Sequence, residues 1–354
     1  MNRRPHLLLA TSVTLSLGLL AGCSSDDGGA PAASAPATTD ATTDATSGPT
    51  DPPAAGDGES AATAAATWLQ SQAASGTVFQ TEFDGVAYDD YGLTGDVVLA
   101  LLAADQDDAA QEYAAALTTD EAVAAYVGDG STAQYAGATG KLLAVVDAAD
   151  LPTSSVGGRD LVAELLALQT EEGRFSDLGA DDYSQTISQS WAVAALATQD
   201  AAPQAAVDYL ATQQCEGSGF PAQLSPAAPA DCTPDVDATA FAVSALVVAG
   251  ADEDAPVVVQ ALAWLDSVGA TDDAGTSWAS ADSDGPSINS TAVAVSALED
   301  GDADASAAIT WLVAQQVTDG DDAGAFLLAD EPDVRTTAQA AVALAGEGLD
   351  DLLG

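Results

Sequence analysis

The sequence predicts an all-α protein, an (α/α)6 toroid of six helix pairs, preceded by a signal peptide and a disordered tether. Three observations predict it. A segment with a threonine followed seven positions later by an aliphatic residue recurs through the chain, these segments are apolar all round, and no stretch shows convincing strand alternation.

The first element is the export signal. Met1-Asn-Arg-Arg is a basic start, Leu7 to Leu20 is an apolar run, and Leu20-Ala21-Gly22-Cys23 is a small-residue cleavage site. The run is short for a retained membrane span and has no basic flank after it. Residues 1–22 are therefore expected to be removed. The Leu-Ala-Gly-Cys ending resembles the lipobox of bacterial lipoproteins, which implies lipidation of Cys23 and anchoring to the outer face of the cytoplasmic membrane. An ordinary secretory signal is the other reading.

Residues 23–58 follow as an Ala/Thr/Pro/Asp tether without aromatic or large aliphatic side chains, too poor in burial to offset chain entropy. Such a linker spans on the order of 30 Å. The remaining residues, 59–354, are expected to form the toroid.

The repeat aligns at Thr94/Leu101, Thr139/Val146, Gln189/Leu196, Thr239/Leu246, Thr291/Leu298 and Thr337/Leu344, in steps of 45, 50, 50, 52 and 46 residues. A helix apolar on every side must be buried. Half-polar segments ending near Trp68, Tyr126, Leu165, Tyr209, Trp264 and Trp311 precede these helices and predict an outer ring. Several run into a glycine-plus-aromatic turn, as in "QTEEGRF" from Gln169 to Phe175. Six such pairs bury both faces of every repeat only when the ring closes.

These turns, "DYGLTGD" at Asp90–Asp96, "YAGATGK" at Tyr135–Lys141, and the "DVDATA" helix start at Asp235–Ala240 resemble the prenyltransferase and squalene-cyclase repeat family, of the exported actinobacterial lipoprotein type. The resemblance implies the terpenoid cyclase-like toroid. For function it implies several incompatible chemistries, because one fold hosts many. In class II terpene cyclases the helix starts Asp-x-Asp-Asp-Thr-Ala and the middle acid donates the proton. Asp237 stands at that place with Asp235 before it, but Ala238 replaces the third acid. Aromatic residues make up only 5% of the chain, few for cradling a carbocation. The simpler expectation is that Asp235 caps a helix.

Other chemistries fall on composition. The only histidine, His6, lies in the signal, which excludes a zinc prenyltransferase and any Ser/His/Asp system, and no metal site is expected. Cys215 lacks the surroundings of a thioester; with Cys232 it is expected to form a disulfide in an exported chain, contributing roughly 3 kcal/mol. Paired carboxylates leave glycosidase-type catalysis open. The cobalamin-binding relatives carry a separate β domain, so cobalamin is the weaker expectation and no cofactor is predicted.

Lys+Arg number 6 against 55 Asp+Glu, a net charge of -49. Nucleic acid is excluded as a partner by repulsion, and contact with the membrane is expected through the N-terminal lipid only.

The repeat register also compares equivalent positions. Two residues after each aligned position stand Asp96, Lys141, Trp191, Phe241, Val293 and Gln339; two before it stand Gly92, Gly137, Ile187, Asp237, Asn289 and Arg335. Lys141, the only lysine, is placed to meet Asp96 across a helix interface, either as a register-fixing pair or, with Arg335, as the holder of an anionic group. Arg335 could equally neutralise Asp333. Tyr88, Tyr91, Tyr135 and Tyr183 precede inner helices and are expected around one mouth. The candidate ligand-binding residues are thus Tyr88, Tyr91, Tyr135, Lys141, Asn289 and Arg335, and Asp237 and Asp235 are the catalytic candidates. The favoured expectation is a monomer that binds a small molecule or a cell-surface protein in this mouth without catalysis; an Asp237-dependent enzyme and a structural module are the alternatives.

Overall fold

The computed structural model describes residues 56–73, 76–226, 232–281 and 285–354. The expected toroid is what the chain forms. In chain order the helices are α1 (Gly56–Gln72), α2 (Tyr91–Ala103), α3 (Asp107–Leu117), α4 (Asp120–Val127), α5 (Ala136–Ala148), α6 (Leu161–Ala167), α7 (Thr186–Thr198), α8 (Gln204–Thr212), α9 (Val236–Val248), α10 (Pro256–Val268), α11 (Ile288–Asp300), α12 (Ser306–Gln315), α13 (Val334–Ala345) and α14 (Leu349–Leu353). The inner ring is α2, α5, α7, α9, α11 and α13, each touching the next, and α13 packs back on α2 to close it. Their outer partners are α1, α4, α6, α8, α10 and α12, with α3 an extra outer helix.

Burial accounts for the ring. The repeated aliphatics Leu101, Val146, Leu196, Leu246, Leu298 and Leu344 are all buried, each contributing roughly 1.5–3 kcal/mol. The alanines between them let helix backbones approach closely.

The aligned threonines have a second job. The hydroxyl oxygens of Thr94, Thr239, Thr291 and Thr337 accept the backbone N–H of Phe79, Phe220, Trp278 and Phe326 at 2.8–3.0 Å. Gln189 does the same for Phe175 at 2.8 Å. Each bond ties the turn aromatic of one repeat to its own inner helix and satisfies a buried donor. The turn glycines allow the opposite approach: a Cβ on Gly173 would collide with the carbonyl oxygen of Ala205, and one on Gly324 with that of Ala64.

Five inner helices end alike. The residue eleven positions after the aligned one lies at positive φ in Asp105, Asp150, Asp200, Gly250 and Asp302. This left-handed position stops a helix, and Asp tolerates it through its short polar side chain. Part of the acid excess is therefore positional.

The expectation of no strands requires correction. Short hairpins precede three inner helices: β1 (Gln80–Phe83) with β2 (Val86–Asp89), β3 (Ala270–Asp272) with β4 (Gly275–Ala279) and β5 (Pro286–Ser287), and β6 (Leu327–Leu328) with β7 (Glu331–Pro332). Their turns supply the cause. Asp84-Gly85 and Ala329-Asp330 hold consecutive positive φ angles, the tight geometry that matches strand twist. Strands of this length carry too few residues to show alternation.

The tether boundary moves slightly, since α1 starts at Gly56 and residues 56–58 are helical. The signal and Cys23 lie outside the described residues. Among the described residues, no helix is long and apolar enough to cross a membrane.

Candidate functional site

The N-terminal ends of the inner helices surround a central cavity of about 220 Å³. Every inner helix contributes to it: α2 by Asp96, α5 by Lys141, α7 by Ile187 and Trp191, α9 by Asp237 and Phe241, α11 by Asn289 and Val293, and α13 by Arg335 and Gln339. On four of these helices the two residues are four apart, hence one above the other on the same face. Below lies a narrower space of about 60 Å³, lined by Leu99, Ser244, Ser296 and Val342 and closed by Leu349 and Leu352 of α14. The ring is thus open at one end and plugged at the other by the C-terminal helix.

Asp96 is the charged centre of one side. It pairs with Lys141 from α5 and, at 2.6 Å, with Arg335 from α13. Lys141 Nζ also donates to the carbonyl of Gly92 at 3.0 Å and stands 5.7 Å from the Trp191 ring centroid. Arg335 reaches a second acid, Asp90, at 3.1 Å. Three consecutive helices of the ring, α13, α2 and α5, are clamped by one carboxylate. The side chain of Asp96 is only 10% exposed and that of Lys141 only 12%, so removing one partner would leave a poorly solvated charge. The buried phenol of Tyr126 sits beside this group; burial raises its pKa first, then the charges of Asp96 and Asp90, while Arg335 acts against them.

The opposite side holds Asp237. Its Oδ1 is buried and accepts no hydrogen bond. Burial raises its pKa, the charge of Asp235 adds to the rise, and the neighbouring Ser290 hydroxyl lowers it. The Ser290 oxygen itself lacks a partner of good hydrogen-bond geometry. Asp235 is engaged elsewhere, as the N-cap of α9, accepting the Ala238 N–H at 2.8 Å. Asn289 is tied to α13: its amide nitrogen donates to Gln339 at 2.6 Å and its oxygen accepts from Thr336 at 3.1 Å. Trp191 and Phe241, with centroids 5.7 Å apart, supply the aromatic wall.

No family model matches the chain, and no curated protein does. Solved structures do. The type II terpene cyclase MstE from Scytonema is 17% identical, covering 83% of this chain and 98% of the other, with a TM-score of 0.63. The chain has the α/α toroid fold of this cyclase. A variant of MstE in complex with the substrate geranylgeranyl dihydroxybenzoate is 16% identical over 84% of this chain and 99% of the other, with a TM-score of 0.61. A glycosidase in complex with glucose is 13% identical over 85% and 98%, with a TM-score of 0.56. At these identities the likeness is one of fold.

In this toroid Lys141, Asn289, Arg335 and Asp237 converge on the cavity, and the three tyrosines do not. Tyr88 lies on β2 and is 55% exposed, and Tyr135, ahead of α5, is 39% exposed. Tyr91 turns instead onto Tyr126, with ring centroids 6.5 Å apart. Tyr88 and Tyr135, just before inner helices, sit on the rim with their side chains exposed. Arg335 likewise departs from its expected local partner: Asp333 caps α13 by accepting the Thr336 N–H at 2.7 Å, and Arg335 crosses the ring closure instead. Cys215 and Cys232 lie with Cα atoms 5.5 Å apart and their sulfurs joined, away from the cavity.

The cavity residues absent from the candidate ligand-binding and catalytic residues are Asp96, expected only as the partner of Lys141, and Ile187, Trp191, Phe241, Val293 and Gln339. Their signal is the repeat register itself. Polarity favours tyrosines as ligand contacts, but position decides what faces the cavity.

Proposed function

We propose that the toroid holds a small ligand in its mouth and does not transform it. The observation that carries this reading is the cavity of about 220 Å³ to which all six inner helices contribute and where the Asp237 Oδ1 lacks a partner. Six of the ten lining side chains are polar or charged and four are apolar, and polar groups placed beside apolar walls are what orient a ligand in a site. Its volume falls below the ~300–1,000 Å³ of sites for drug-sized molecules, so the occupant is smaller than the geranylgeranyl dihydroxybenzoate held by the MstE variant. Proton-donor chemistry finds little support around Asp237. Asp235 is engaged in capping, Ala238 offers no acid, and only Trp191 and Phe241 bring aromatic faces to the cavity. The lipobox-like sequence around Cys23 adds placement: a lipid-anchored binding protein on the outer face of the cytoplasmic membrane, engaging a small molecule or a cell-surface protein.

Native mass spectrometry of the chain purified gently from its producing cells tests this reading. A stoichiometric adduct lost on denaturation is expected. A bare mass, or an adduct that the purified protein converts to a product, would overturn it.

A further inference from the structure

The charges around the cavity limit what it can hold. Lys141 and Arg335 are the cations that would receive an anionic ligand, and both are already engaged. Lys141 pairs with Asp96 and the Gly92 carbonyl, and Arg335 pairs with Asp96 and Asp90. The two cations and these two carboxylates balance. Asp237 is then the uncompensated charge, making the group formally negative by one.

A carboxylate oxygen is an acceptor only, so the group that completes it must bring a donor. The neighbouring protein donor is the Ser290 hydroxyl, which makes no hydrogen bond of good geometry to Oδ1 and, being neutral, leaves the charge of Asp237 uncompensated. The amide groups of Asn289 are bonded to Gln339 and Thr336 rather than to the acid. Nearby stand Trp191 and Phe241, whose ring faces attract positive charge, and Trp191 already has the Lys141 ammonium 5.7 Å from its ring centroid. A bare divalent ion fits poorly. It requires several oxygen ligands, and no group of three or more His, Cys, Asp or Glu side chains converges among the described residues. The surrounding field points the same way, because a chain of net charge -49 concentrates cations at its surface and repels anions.

From this juxtaposition we infer that the mouth recognises an organic cation, a protonated amine on a compact apolar body, whose N–H pairs with Asp237 and whose body lies against Phe241 and Trp191. The inference rests on the ligand-binding reading above and names the chemistry of the occupant.

The test is calorimetric titration of the full chain with benzylammonium and 2-phenylethylammonium, each matched with the alcohol and the carboxylate of the same skeleton, at an ionic strength that screens the surface. The ammonium probes are expected to bind at one site, at least tenfold tighter than the alcohols, with the carboxylates weakest. Asp237→Asn should weaken ammonium binding tenfold or more without lowering the melting temperature. Asp208→Asn, an exposed acid on α8, should leave it unchanged. Equal loss in both variants would mean attraction to the acidic surface at large and would overturn the inference. Alcohols or carboxylates that bind as tightly as the amines, and lose binding in Phe241→Ala, would overturn the cation assignment while the ligand-binding reading stands. If no probe of any charge binds and the native mass is bare, both fall.

Discussion

The two ends of the toroid each hold a buried acid, and the two acids are resolved differently. At the plugged end Asp300, the last residue of α11, accepts the backbone N–H of Asp350 at 2.9 Å, and Gly348 lies so close that a Cβ there would collide with its carboxylate. Its pKa is pushed up to about 8, by burial first and then by the Asp350 side chain. At the open end Asp237 is also raised by burial, and its orphan oxygen belongs to a residue lining a 220 Å³ cavity. Each acid keeps one oxygen without a hydrogen-bond partner. At the floor the chain's own tail seals that oxygen in. At the mouth the acid lines a cavity instead of packing under a helix, which is why unmatched polarity there points to a ligand and at the floor to packing.

The difference between the ends can be broken or sharpened by three substitutions. The largest effect is expected at the mouth clamp. Asp96→Ala leaves Lys141 buried without its carboxylate and should cost about 3–5 kcal/mol, read from denaturant unfolding. A loss below about 1 kcal/mol would show that α13, α2 and α5 are held by apolar packing alone.

At the floor, Asp300 binds a proton in the folded chain over a range where the unfolded chain, with its ordinary value of 3.8, has lost it. Its contribution to stability therefore falls as pH rises from about 4 to about 8. Asp300→Asn, which mimics the protonated acid, should remove that slope and raise Tm above pH 8 by about 2–4 °C. An unchanged Tm–pH profile would exclude Asp300 as its source.

The smallest effect is expected from Asp237→Asn in the free protein. An acid beside a cavity is less confined than one under a helix, so stability should rise by no more than about 0.5 kcal/mol. A gain equal to that of Asp300→Asn would mean that the mouth is as sealed as the floor.

Much of the site is legible in the amino-acid sequence. The twelve positions two before and two after the aligned residues include all ten that line the cavity, and the remaining two are Gly92 and Gly137, which have no side chain to offer. Helical geometry explains this: residues four apart share a face, and a repeat presents the same face six times. The Lys141–Asp96 meeting follows from the same register. The tyrosines escape it because Tyr88 and Tyr135 lie ahead of the helices and Tyr91 is the first residue of α2, outside the positions that the register turns toward the centre. The hairpins are invisible to periodicity because two- to five-residue strands leave no periodic trace, and α14 because five residues are too few to display a helical face.

The sequence by itself determined the six-fold repeat, the buried ring, its aliphatic core and the positions that face the centre, since these are local properties multiplied by periodicity. Only the tertiary structure decided that Arg335 crosses the ring closure to Asp96 and Asp90, that α14 plugs one end over Asp300, and that the Asp237 Oδ1 is left without a hydrogen bond of good geometry. Those outcomes join residues 50 to 245 positions apart or depend on a partner's absence. Ring closure sets such distances, and no local pattern along the chain encodes them.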